Sequence, residues 1–258
     1  GTIITGTIGG GNTSSTTGSI GFAKAVITGG DITGQFIMAK GANEPCTFNM
    51  SGGTLHGLDT SVTSFPYKNG GAVYMDDPNG KSVLSGGTIT GGSAILGGAV
   101  YMTAGSFTVS DNGIIKGNKA TENGGAIYLG KTGEYKGTFT MNGGTIESNN
   151  ATKLGGAIYL DGGDAFVNGG EIKTNTAVDG GGTYLSGGTL TVTGGSIIEN
   201  VASTNGGGAY LAGGTLTING GSIYANTADN GAGAYLAGGT LTASGGSISS
   251  NSASINGG

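Results

Sequence analysis

This chain has no arginine and no tryptophan, and only one cysteine (Cys46) and one histidine (His56). A lone cysteine cannot close an internal disulfide, so the redox compartment stays open. The missing arginine removes one common base of polysaccharide-cleaving enzymes, and His56 has no evident partner along the sequence. Charge is scarce as well: ten lysines against 15 acidic residues give a net charge of −5. That balance, without lysine clusters, disfavours a nucleic-acid partner. No apolar run is long enough to cross a bilayer, no amphipathic helix pattern supports direct membrane insertion, and no signal peptide is expected among these residues. Proline stops at Pro78, and helical periodicity is absent throughout.

What the chain has in abundance is glycine, 61 of 258 residues. A collagen helix would need glycine at every third position, and no such period exists. Disorder is disfavoured by aliphatic residues that recur at fixed places and by the low net charge. The recurrence itself is the main signal. Tyr74, Tyr101, Tyr128, Tyr159, Tyr184, Tyr210 and Tyr235 follow one another at 27, 27, 31, 25, 26 and 25 residues. Asn118, Asn149, Asn175, Asn200, Asn226 and Asn251 keep step with them. Two markers in phase define a repeat array.

Within one copy, Thr189-Leu190-Thr191-Val192-Thr193 alternates polar and apolar residues, the period-2 pattern of a half-buried strand. Leu190 and Val192 are expected inside and the threonines outside. A Gly-Gly pair follows, then a short strand carrying one isoleucine (Ile146, Ile172, Ile197, Ile223, Ile248). Three residues later comes the asparagine and then usually an alanine. A further glycine cluster leads to the tyrosine strand, where Ile158 and Leu160 alternate with Tyr159. Strands this short cannot bury an apolar face alone, but stacked coils can. The expected fold is all-β: a right-handed parallel β-helix with three short strands per coil of about 25 residues. About seven such coils should span residues 70 to 251, without helices or antiparallel hairpins. Leu160, Leu185, Leu211 and Leu236 should be buried in one column. The asparagines should stack at a turn, each amide bonding the next coil, as suits a residue that tolerates left-handed backbone.

The GGAV at Gly70 and Gly97 and the GGAI at Gly124 and Gly155 resemble the GGA[ILV] half of the repeat in chlamydial polymorphic membrane proteins. The FxxN half is matched with isoleucine for phenylalanine: IKGN at Ile115, IESN at Ile146, IKTN at Ile172, IIEN at Ile197, IYAN at Ile223 and ISSN at Ile248. The last three copies replace GGA by GGG or GAG. The resemblance covers about residues 70 to 251 as a repeat class. It implies the β-helical passenger or stalk region of a bacterial or archaeal surface adhesin, located extracellularly or at the cell surface. The translocator barrel of that family is not in this chain.

Residues 1 to 69 fit the repeat poorly and are expected to be degenerate coils acting as a cap or linker, with regular coils from 70 to 258. Thr47 to Gly53 matches a threonine strand, and Phe36-Ile37-Met38 stands where a tyrosine strand belongs. Residues 1 to 30 suit a further coil such as Ile4 to Ile27, and Gly1 to Gly18 also suits a flexible linker. The last copy ends inside a repeat, so the chain is expected to continue into further sequence or to self-associate end to end.

Candidate function lies in repeated outward side chains. The seven tyrosines are expected to face out as a ladder, mostly with partly exposed rings, and to bind a host or environmental glycan or protein. The alternative is that neighbouring rings cover one another and strengthen the sheet. The Thr-x-Thr pairs (Thr138/Thr140, Thr189/Thr191, Thr215/Thr217, Thr240/Thr242) are similar to ice-binding faces, although Val83 and Phe166 interrupt the rank. Asp161 and Asp164 flank one Gly-Gly turn, and Asp76, Asp77 and Asn79 share another; both are expected to be solvated loop residues. No catalytic residue, metal site or cofactor is expected. The expectation is a non-catalytic adhesive stalk, with a purely structural rod or filament as the alternative.

Overall fold

The computed structural model describes residues 19–21, 24–39, 45–62 and 67–258. Gly1 to Gly18, with Ile4, lie outside the described residues. The described chain winds into a parallel β-solenoid of about nine turns with about 26 residues per turn. Among the described residues all regular structure is strand.

One coil shows the arrangement. Ala209–Leu211 carries Tyr210, Thr215–Tyr224 carries the threonines and the isoleucine, and Thr227–Asn230 follows Asn226. Three strands are present in this coil, divided differently from the expectation, and the division varies between coils, with four strands over 100–123 and two over 158–179. The threonine and isoleucine segments fuse into one ten-residue strand, and the third strand is the alanine segment after the asparagine. The Gly-Gly pair bends the long strand without ending it. Its second glycine takes a left-handed conformation (φ +69° at Gly221), and the register slips there as a bulge. The alanine segments form their own seven-stranded sheet.

Each rung pairs in parallel and in register with the next: Ile158, Tyr159 and Leu160 oppose Thr183, Tyr184 and Leu185. The same register reaches back to Phe36, Ile37 and Met38, which oppose Val73, Tyr74 and Met75. Thr47 to Met50 likewise pair with Lys24 to Ile27 on one side and Lys81 to Leu84 on the other.

Alternation then fills the interior. Leu160, Leu185, Leu211, Leu190, Leu216 and Ile197 are fully buried, each worth about 2 kcal/mol relative to an exposed side chain. Leu236 corrects the expectation: it lies in register under Leu211 but is 48% exposed, because only one rung packs against it.

The GGA motif also has a steric reason. The first glycine is left-handed (Gly155, φ +67°). A Cβ on the second, Gly156, would stand 2.2 Å from the Gly181 carbonyl of the next coil. Ala157, the third residue, is buried. In GGG copies the third position is closed too: a Cβ on Gly208 would meet the Ile223 methyl at 2.5 Å.

One antiparallel hairpin departs from the expected all-parallel pairing. Lys131–Thr132 pairs with Tyr135–Lys136 in the turn after Leu129. It holds the extra residues that lengthen the Tyr128–Tyr159 spacing. It projects from a corner, so the parallel register continues beneath it, Tyr128 opposite Tyr159.

Candidate functional site

All seven tyrosines fall in one column on the outer face of the solenoid, five of them on three-residue strands and Tyr159 and Tyr184 near the start of longer ones. The residues on either side of each ring point inward: Ile158 and Leu160 are fully buried, whereas Tyr74, Tyr101, Tyr184, Tyr210 and Tyr235 are half-buried. Consecutive rings from Tyr74 to Tyr235 stack with centroids 4.7–5.3 Å apart and planes within 5–19°. That separation is close to the strand spacing of a sheet, so backbone register alone sets the stack. Tyr67, from a longer turn, adds an eighth ring at 4.7 Å from Tyr74, tilted by 54°.

The faces of these rings are spent on one another. What reaches solvent is ring edges and hydroxyls rather than ring faces, and five of the seven rings are partly exposed as expected. Two rings are covered further: Tyr128 and Tyr159 are 8% and 9% exposed. Gly130, which opens the hairpin turn, lies against Tyr128; a Cβ there would stand 2.9 Å from its ring. The Tyr128 hydroxyl donates to Asp161 Oδ2 at 2.7 Å. Desolvation raises the pKa of Tyr74, Tyr101, Tyr128, Tyr159 and Tyr210, and pushes Tyr184 up to about 12. Nearby carboxylates add to this, Asp76 at Tyr74 and Tyr101 and Asp161 at Tyr128. The column is therefore a row of neutral hydroxyls able to donate and accept hydrogen bonds.

The asparagines form a second column, inside a corner. Asn149, Asn175, Asn200 and Asn226 are fully buried and Asn118 nearly so. Asn175 Oδ1 accepts from the backbone N–H of Asn149 (2.9 Å) and from its Nδ2 (3.0 Å). Asn175 Nδ2 donates to the Ile146 carbonyl (3.0 Å) and to Asn200 Oδ1 (2.9 Å). Asn251 closes the column by accepting from Asn226. The left-handed residue is not the asparagine but the one before it: Ser148, Thr174, Glu199, Ala225 and Ser250 have φ of +52° to +56°. The amide ladder holds these non-glycine residues in a conformation that costs on the order of 1 kcal/mol each.

A third column was missed from the sequence. Asp179 Oδ1 accepts from the backbone and side chain of Asn205, Asn230 donates to Asn205 Oδ1, and Asn256 donates to Asn230 Oδ1. The same period of 25 or 26 residues marks it, at the end of each alanine strand. Leu154 interrupts this column and leaves the buried Asn123 Oδ1 without a partner.

The remaining candidates are placed as follows. Phe166 and Val83 fall in the same outward column as Thr108, Thr140 and Thr191, so the threonine rank is unbroken only over the last three coils. Asp77 is not a solvated loop residue: it is buried, and it accepts from the backbone N–H groups of Cys46 (2.8 Å) and Asn79 (3.0 Å). Asp164 is ion-paired with Lys136. His56 is exposed, between Thr33 and Thr90 in adjacent coils. Among the described residues no group of three His, Cys, Asp or Glu is arranged to hold a metal ion.

No protein-family model, curated protein or solved structure matches the chain. Fold and repeat together make it a parallel β-solenoid repeat protein with stacked tyrosine and asparagine columns.

Proposed function

We propose that the protein is a non-catalytic adhesive stalk segment of a large cell-surface or secreted protein, contacting a glycan or protein along its tyrosine column. The observation that carries this is the continuous stack of tyrosine rings at 4.7–5.3 Å spacing, whose edges and hydroxyls are partly exposed at Tyr74, Tyr101, Tyr184, Tyr210 and Tyr235. A periodic row of neutral donors and acceptors on a stiff support suits a periodic or extended partner, since the support is ordered before contact. Likeness of the GGA[ILV] and IxxN segments to the repeats of chlamydial polymorphic membrane proteins supports the surface location. Replacing Tyr159, Tyr184 and Tyr210 together by phenylalanine keeps the stack and removes three hydroxyls; serine removes the rings as well. Both triple variants should lose adhesion to cells or a glycan array while keeping the parent circular dichroism. A serine variant that adheres as well as the parent overturns the proposal.

A purely structural rod is the second reading, favoured by the mutual covering of the ring faces. On that reading the phenylalanine variant behaves as the parent, and the serine variant only loses stability.

A further inference from the structure

We infer that a notch at the corner between the tyrosine and threonine strands is a binding site for an anionic saccharide. It is separate from the tyrosine column and does not depend on the proposal made for it.

The notch arises from unequal turns on adjacent coils. After Met75 the turn to the threonine strand takes five residues, Asp76 to Gly80; after Met102 it takes three, Thr103 to Gly105; after Leu129 it takes eight, Gly130 to Gly137. A short turn between two long ones leaves a gap whose floor is Gly105 and Ser106. Pro45, Pro78 and Asn79 form one wall, and Lys136 and Thr138 the other. Insertions in repeat proteins gather on one face in this way, often the binding face. The gap is about 490 Å³, within the usual range for a small-molecule site.

Its chemistry is unlike the rest of this acidic chain. Lys81 and Lys136 both line it, with the hydroxyls of Ser106 and Thr138, the Asn79 amide and two proline rings. None of these lining residues is acidic. Hydroxyls and an amide match sugar hydroxyls, proline rings offer a small apolar face, and the ammoniums call for an anion. Two nearby carboxylates have partners: Asp164 pairs with Lys136, and Asp77 accepts from Cys46 and Asn79; Asp76 and Glu134, on the flanking turns, do not line the gap. Among the described residues no carboxylate pairs with Lys81. Lys81 is thus the cation left for a ligand, and Asp164 competes with the ligand for Lys136.

The test is a titration of the whole chain followed by amide NMR, with trigalacturonate as the carboxylate probe, a sulfated disaccharide as the sulfate probe and maltotriose as the neutral one. Saturable shifts are expected at Gly105, Ser106 and Thr138 with one or both acidic probes. Lys81→Met should weaken binding about tenfold, the range for one charge-assisted contact. Asp164→Asn, by freeing Lys136, should tighten it, which a merely structural role for Asp164 would not do. The Tyr159, Tyr184 and Tyr210 serine variant should bind as the parent does, which separates this site from the tyrosine column. Absence of shifts with both acidic probes overturns the inference, as does equal binding of maltotriose or an unchanged affinity in Lys81→Met.

Discussion

Substituting Asn175 by alanine removes the middle of the buried amide column. Two donors on Asn149 lose their acceptor, its backbone N–H and one Nδ2 hydrogen, and the Ile146 carbonyl loses a donor. Each orphaned buried group costs about 1–3 kcal/mol. Asn175 is fully buried, so bulk water does not reach these groups; one water in the vacated space repairs part of the loss. The net expectation is a destabilisation of about 4 kcal/mol. Asn251 provides the internal control. It accepts the same two bonds from Asn226, at 3.0 Å each, but is only partly buried. Water substitutes there, and Asn251→Ala should cost about 1 kcal/mol.

The appropriate assay is native-state hydrogen exchange, because stacked coils need not unfold in one step. The Asn149 amide should lose most of its protection in Asn175→Ala. Asn175→Asp separates polarity from shape. A carboxylate still accepts from Asn149 but cannot donate to Ile146 or Asn200, so at neutral pH it should be at least as damaging as alanine. Equal losses for Asn175→Ala and Asn251→Ala would refute the reasoning, because burial would then not set the cost.

Leu154→Asn should stabilise the protein by about 1 kcal/mol in a denaturant melt, by giving the buried Asn123 Oδ1 a donor; Asp179, a carboxylate, has no hydrogen to donate onward to the new amide; no gain would mean that the unpaired oxygen is already satisfied. Tyr74, Tyr101, Tyr128, Tyr159, Tyr184 and Tyr210 should resist ionisation in an alkaline titration followed by phenolate absorbance, with Tyr184 titrating near 12. Because folding raises these phenol pKa values, their contribution to stability should be whole below the ordinary tyrosine value, about 10, and be lost as pH climbs from there through the folded values. A single ionisation at the ordinary value, with stability flat across that interval, would contradict the burial of the phenols.

Much of this fold is written in the sequence because a solenoid turns long-range pairing into a local period. Alternation in Ile158-Tyr159-Leu160 says which side chains face in, and repetition every 25 or 26 residues says that each tyrosine meets another. The asparagine column follows by the same logic. Other features were decided only by neighbouring coils. The left-handed residue before each asparagine has no sequence signature: Ser148, Thr174, Glu199, Ala225 and Ser250 share nothing but their place. The buried ladder imposes that backbone, whatever the side chain. Whether tyrosines offer faces or edges depended on the distance between coils, which sheet hydrogen bonding sets near 5 Å, leaving no room between rings. The burial of Asp77 depended on Cys46, 31 residues earlier. The notch required three turns of unequal length to be stacked side by side, since its floor is short only relative to its walls. Sequence alone determined the period and the inward and outward faces, because both repeat within one coil. Tertiary structure decided what the outward residues present, because that is a relation between coils.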